Sequence, residues 1–123
     1  MFKTTYCLRR KPGMTREAFY RYWSEVHGAM VVRHQRELAV RRYVQTHALP
    51  AGSVPNLERD DVNEKPYDGV AELWYDSKEA YLNALETPDG RAAAVALYKD
   101  AFAFIDVPNS PMFAGEEHIL VGS

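Results

Sequence analysis

Four histidines, His27, His34, His47 and His118, and one cysteine, Cys7, make up the soft-donor chemistry of this 123-residue chain. None is spaced as His-x-His, His-x-x-x-His or Cys-x-x-Cys, so the sequence offers no local metal nest, and no metal is expected. An imidazole titrates near pH 6.5, so His27, set in an apolar-periodic helix directly before Gly28, can give or take a proton at neutral pH. The alternative for His27 is a helix histidine bonded to a nearby carbonyl. Tyr43, Gln45 and His47 occupy alternate positions of a strand-like run and so share one face, opposite Arg42, Val44 and Thr46. A phenol there could donate to a developing enolate oxygen and an amide or imidazole could orient a carbonyl, although an interface ladder would use the same residues. In the next strand-like run Asp68, Val70, Glu72 and Trp74 oppose Gly69, Ala71, Leu73 and Tyr75. A carboxylate held beside an indole is partly desolvated, which would raise the pKa of Glu72 into a useful range; a surface ion pair explains it equally well.

The elements that must position these groups follow from pattern and punctuation. Phe2 to Arg10 reads as a strand closed by Pro12-Gly13, and Thr15 caps the helix that follows. Its apolar stripe is Phe19, Tyr22, Trp23, Val26 and Met30, interrupted by Gly28, which predicts a kink or a close approach. Arg41 to His47 and Tyr67 to Tyr75 read as strands, and Asp76 and Ser77 are capping candidates for a helix over Lys78 to Glu86. Thr87-Pro88 restarts a helix that runs on through Ala92 to Phe104 until Pro108 and Pro111 stop it, and His118 to Val121 reads as the last strand. Ala48 to Pro66 is a long loop, a candidate lid or disordered segment. The order β-α-β-β-α-β predicts an α+β, ferredoxin-like fold: a four-stranded antiparallel sheet with helices on one face and the other face open to a partner.

Composition excludes other classes. The chain is 46% hydrophobic and 26% charged, as ordinary globular domains are, and its length suits a single domain over 1–123. No apolar run approaches the roughly 18 residues of a membrane span, and Lys3, Arg9, Arg10 and Lys11 break the amino-terminal segment, which together predict a cytoplasmic protein with no membrane partner. Residues 1–42 carry ten Lys and Arg against three acids, and the remainder five against fourteen. The early arginines are spread through a periodic helix, which favours complementary faces within or between subunits over nucleic acid. A glycine-rich phosphate loop and a Gly-x-Ser-x-Gly elbow are both absent. Cys7 reads as a small strand residue.

Together, Arg9-Arg10-Lys11-Pro12-Gly13-Met14-Thr15, the segment from Phe19 through Tyr22-Trp23 to Val26-His27-Gly28, Arg42-Tyr43-Val44-Gln45, the run Tyr67-Asp68-Gly69-Val70-Ala71-Glu72-Leu73-Trp74 and Phe104-Ile105-Asp106 resemble the EthD family in order and over nearly the whole chain. The resemblance implies a homodimeric α+β barrel, two ferredoxin-like sheets closing around a cavity in each subunit. Relatives and neighbours of that fold include lactone isomerases, polyketide cyclases, dehydratases and cofactor-free monooxygenases, which share a small apolar cavity and usually no bound metal or organic cofactor. The Trp-x-x-Val-His-Gly pattern of the family falls on Trp23, Val26, His27 and Gly28. The expectation is a cofactor-independent acid–base enzyme for an aromatic, polyketide-like or lactone-like compound. His27, Tyr43 and Glu72 are its candidate catalytic residues, and Gln45, His47, Trp74, Tyr6 and Phe19 its candidate substrate-binding residues. A cofactor-free monooxygenase and a non-catalytic carrier are the alternatives, and Asp106 reads as an anchor after the last helix.

Overall fold

The computed structural model describes residues 1–57 and 66–122. Strand β1 (Phe2–Leu8) leads to α1 (Arg16–Tyr22), which Thr15 caps by accepting the Ala18 N–H at 3.1 Å. The helix does not run on as an α-helix. Trp23–His27 form a π-turn, α2 (Gly28–Arg33) and the one-turn α3 (Gln35–Leu38) complete the crossover, and Ala39 reverses the chain at φ 60° into β2 (Arg42–His47). Strand β3 (Gly69–Tyr75), α4 (Lys78–Glu86) and α5 (Pro88–Ala101) follow, with Ser77 and Thr87 capping the two helices. A single 3-10 turn, Val107–Asn109, leads into β4 (Met112–Glu116). Asp106 anchors this turn by accepting the Asn109 side-chain amide at 2.9 Å.

All strands pair antiparallel in the order β2-β3-β1-β4, so the fold is α+β and ferredoxin-like. Register decides which residues share a face. Tyr43 lies opposite Leu73, Gln45 opposite Ala71 and His47 opposite Gly69, while Tyr6 also lies opposite Ala71. Ala71 and Leu73 pack into the apolar layer beneath the helices, so Tyr43, Gln45, His47 and Tyr6 are on the helix-covered face. Leu8, Phe19, Trp23, Ala71, Phe104 and Ile105 form the larger core cluster, and Phe2, Leu38, Val40, Tyr75 and Ala93 the smaller one. Tyr43 and Leu73 touch both and mark the seam between them. Trp23 reaches the sheet because position 69 is glycine: a Cβ on Gly69 would stand 2.6 Å from the indole.

The last strand differs from the sequence expectation. His118 to Val121 is not a strand, and Leu120 and Val121 are 92% and 95% exposed. The reason is register: Met112 meets Tyr6 and Glu116 meets Phe2, so by residue 116 the chain has run the length of β1 and nothing is left for 118–121 to pair with. Of the expected loop from Ala48 to Pro66, residues 58–65 lie outside the described residues. Among the described residues no helix is long and apolar enough to cross a membrane.

Candidate functional site

Two polar centres hang on the π-turn. An α-helix advances about 100° per residue, so residues five apart stand about 140° apart around it. The i→i+5 turn carries an extra residue and returns such a pair to one side. Tyr22 and His27 are such a pair, and both reach one carboxylate on the last turn of α5. The Tyr22 hydroxyl donates to Asp100 Oδ1 at 2.6 Å, and His27 Nδ1 lies 2.9 Å from Asp100 Oδ2. An ionised carboxylate only accepts, so the imidazole proton sits on Nδ1 and the Nε2 lone pair is free. Among the described residues Nε2 has no hydrogen-bond partner, and no unpartnered polar side-chain atom is fully buried, so Nε2 is not completely enclosed. The side chains of His27 and Asp100 are only 14% and 15% exposed. Burial lowers the His27 pKa below its ordinary 6.5, against the opposing pull of Asp100, and keeps the ring neutral at pH 7. Donation to Asp100 raises the Tyr22 phenol to about 12, which leaves that residue a proton holder.

The second centre begins at the carbonyl of Trp23, which accepts the Gly28 N–H across the π-turn and a second bond from Gln45 Nε2 at 3.0 Å. A carbonyl can only accept, so it fixes which end of the Gln45 amide is nitrogen. Gln45 Nε2 also donates to Tyr43 Oη at 2.7 Å, and Gln45 Oε1 therefore takes the Nε2–H of His47 at 2.8 Å. The chain of donors runs from His47 through Gln45 to Tyr43 and leaves the Tyr43 hydroxyl proton to donate outward. Burial raises the Tyr43 pKa, which keeps it a phenol. His47 is clamped between Tyr20 and Trp23 at ring-centroid distances of 4.7 and 4.6 Å, and burial lowers its pKa. Tyr43 and Gln45 line an open cleft of about 520 Å³, with Ser24, Gly28, Ala29, Val32 and Arg33 as the other walls.

The structure therefore gathers Tyr43, Gln45 and His47, places His27 on the neighbouring side of the same turn, and puts the remaining candidates elsewhere. Glu72 lies on the opposite sheet face, where it takes the Lys3 ammonium at 2.7 Å. Trp74 shares that face, its ring flanked by the Lys3 and Arg42 cations at 5.1 and 4.9 Å. Asp68 is buried and engaged by Arg10 at 2.6 Å. Phe19 is wholly enclosed in the core and does not line the cleft, while Tyr6 is half-buried on the helix-covered face with its phenol pKa raised, mainly by burial. Asp100 and Tyr22 were not singled out from sequence. Asp100 is 73 residues from His27 and carries no local motif; the pairing becomes visible only once the turn is known to be π. Among the described residues no three His, Cys, Asp or Glu side chains converge as a metal site.

The EthD domain model matches residues 11–108, which spans both centres. The chain belongs to the EthD family. No curated protein matches its sequence significantly. Among solved structures it is similar to an EthD family protein from Bacillus halodurans, 20% identical over 96% of this chain and 100% of that one, TM-score 0.62. An EthD-like protein from Ralstonia eutropha is 16% identical over 98% and 94%, TM-score 0.64. A dimeric protein of unknown function and ferredoxin-like fold from Bacteroides fragilis is 9% identical over 94% and 95%, TM-score 0.60. At these identities the likeness extends to the fold, and it agrees with the strand order described above.

The close approach at Gly28 makes a test of this EthD site. A Cβ there would stand 2.9 Å from Gln45 Nε2 and 3.0 Å from the Trp23 carbonyl. Alanine is favoured over glycine in a helix by about 1 kcal/mol. Displacing Gln45 strips hydrogen bonds from two partly buried acceptors, a larger loss of about 1–3 kcal/mol. Gly28→Ala is therefore expected to lower urea-unfolding stability by up to about 2 kcal/mol; a variant more stable than the parent would contradict the packing described.

Proposed function

We propose that this EthD protein is a homodimeric, cofactor-independent enzyme that moves protons on a small oxygenated carbon compound, in a dehydration, cyclisation or isomerisation. The observation that carries the reading is the His27–Asp100 pair: a neutral imidazole held by a carboxylate at Nδ1, its Nε2 not completely enclosed and its pKa below 6.5. Such a group is a base at neutral pH, and the carboxylate stabilises the imidazolium that forms when it takes a proton. Tyr43 is the second member of the proposal. Its hydroxyl lies in the cleft on the neighbouring side of the turn from His27 and there suits a substrate oxygen that carries negative charge. Gln45, oriented by the Trp23 carbonyl, sets the direction in which that hydroxyl donates, and His47 donates to its Oε1. Glu72, on the far face and paired with Lys3, has no part in this step.

The homodimer is supported by the uncovered sheet face, which offers Val44, Val70 and a 61%-exposed Phe113 beside the Trp74 cluster, and by the dimeric relative from Bacteroides fragilis. Bare apolar area of this kind is uncommon on monomers. Native mass spectrometry at micromolar concentration is expected to give twice the 14.0 kDa chain mass; a monomer would remove this part of the proposal.

Proton transfer to and from carbon can be followed without the natural substrate, by deuterium exchange in D₂O across a panel of aryl β-dicarbonyl compounds and unsaturated lactones. His27→Ala is expected to slow exchange by about 10²–10⁴-fold. Because the active form of His27 is neutral and burial depresses its pKa, the rate should hold as pH falls through 6.5 and fail only at lower pH. Asp100→Asn removes the two interactions that raise this pKa, so the acid limb should move further down as the rate falls. An acid limb at or above pH 6.5, or His27→Ala exchange at the parental rate, would sink the role of His27.

A further inference from the structure

The open cleft over Tyr43 and Gln45 holds a charge that the proton-transfer reading does not use. Arg33, at the end of α2, is its only charged lining residue. Among the described residues Arg33 has neither an ion pair nor a hydrogen bond, and Glu37, the acid on the next helix, is already engaged by His34 at 2.7 Å. No acidic side chain lines the cleft. The guanidinium is a planar fork of donors whose geometry matches a carboxylate. A single cation, without a second Lys or Arg among the lining residues, suits one negative charge better than the two of a phosphate monoester.

The rest of the lining describes the body of the same ligand. Ala29 and Val32 give an apolar wall, and Gly28 adds no side chain, so the wall is set back where Gln45 lies. Tyr43 offers one outward O–H at the floor, because its oxygen already accepts from Gln45. At about 520 Å³ the space is in the range of small-molecule sites. We infer that this cleft binds a small monocarboxylate with an apolar body, its carboxylate on Arg33, its flank along Ala29 and Val32, and a polar oxygen on the Tyr43 hydroxyl. His27 does not line the cleft, so binding here and proton transfer at His27 are measured separately, and one can fail without the other.

Benzoate, its neutral isostere benzamide and inorganic phosphate are suitable probes, titrated into ¹⁵N-labelled protein while the Gly28 and Ala29 amides and the Gln45 side-chain NH₂ are followed by NMR. Benzoate is expected to shift these signals and to bind about tenfold or more tightly than benzamide. Arg33→Gln, at an exposed position, should abolish that preference with the thermal midpoint unchanged, and Tyr43→Phe should weaken both organic probes alike. Equal affinity for benzoate and benzamide, phosphate binding as tight as benzoate, a preference that survives Arg33→Gln, or shifts confined to other residues would each overturn the assignment.

Discussion

One additional residue in a helix decides which polar side chains of this molecule meet. The π-turn at Trp23–His27 brings Tyr22 and His27 to the same side, so that one carboxylate, Asp100, accepts from both. The same turn aims the Trp23 carbonyl at β2, where it accepts from Gly28 and from Gln45. Regular α-helical geometry would rotate Tyr22 away from His27 and dissolve the shared contact with Asp100. Turns of this type are rare and frequently lie at functional sites.

The turn is held from below by packing and from the side by hydrogen bonds. Trp23 lies on Gly69 and Ala71, with Phe19 and Phe104 closing around it, so the first residue of the turn cannot swing without opening the core. His47 stacked on Trp23 continues this packing into the polar chain that ends at Tyr43. The result is two neutral imidazoles and a neutral phenol in partly buried positions, ordered by two groups that can only accept, the Asp100 carboxylate and the Trp23 carbonyl. Uncharged groups of fixed direction suit proton transfer better than solvated charges, because little reorganisation accompanies the step.

Much of this was legible in the sequence. The element order, the Thr15 cap and the Tyr43, Gln45, His47 alternation follow from periodicity and punctuation, and the close approach expected at Gly28 is met by Gln45. Grouping Glu72 and Trp74 with Tyr43 fails because alternation sorts residues within a strand, whereas the match between strands depends on register: Tyr43 pairs with Leu73, not with Glu72. The segment His118 to Val121 has strand composition but lies beyond the end of β1. Asp100 is invisible for a similar reason, since its partner is 73 residues away and their meeting depends on a turn type that leaves no composition signal. The resemblance to EthD proteins points to His27 as a candidate, and the fold adds the carboxylate beside it.

In the proposed reaction Asp100 fixes the proton of His27 on Nδ1 and leaves Nε2 as the base. Long-range ¹H–¹⁵N correlation of the imidazole rings at pH 7 reports this directly. The expected spectrum shows a neutral His27 with a protonated Nδ1 and an unprotonated Nε2, and loss of that single tautomer in Asp100→Ala. A His27 ring protonated on Nε2 alone, charged at pH 7, or unchanged when Asp100 is removed would contradict it.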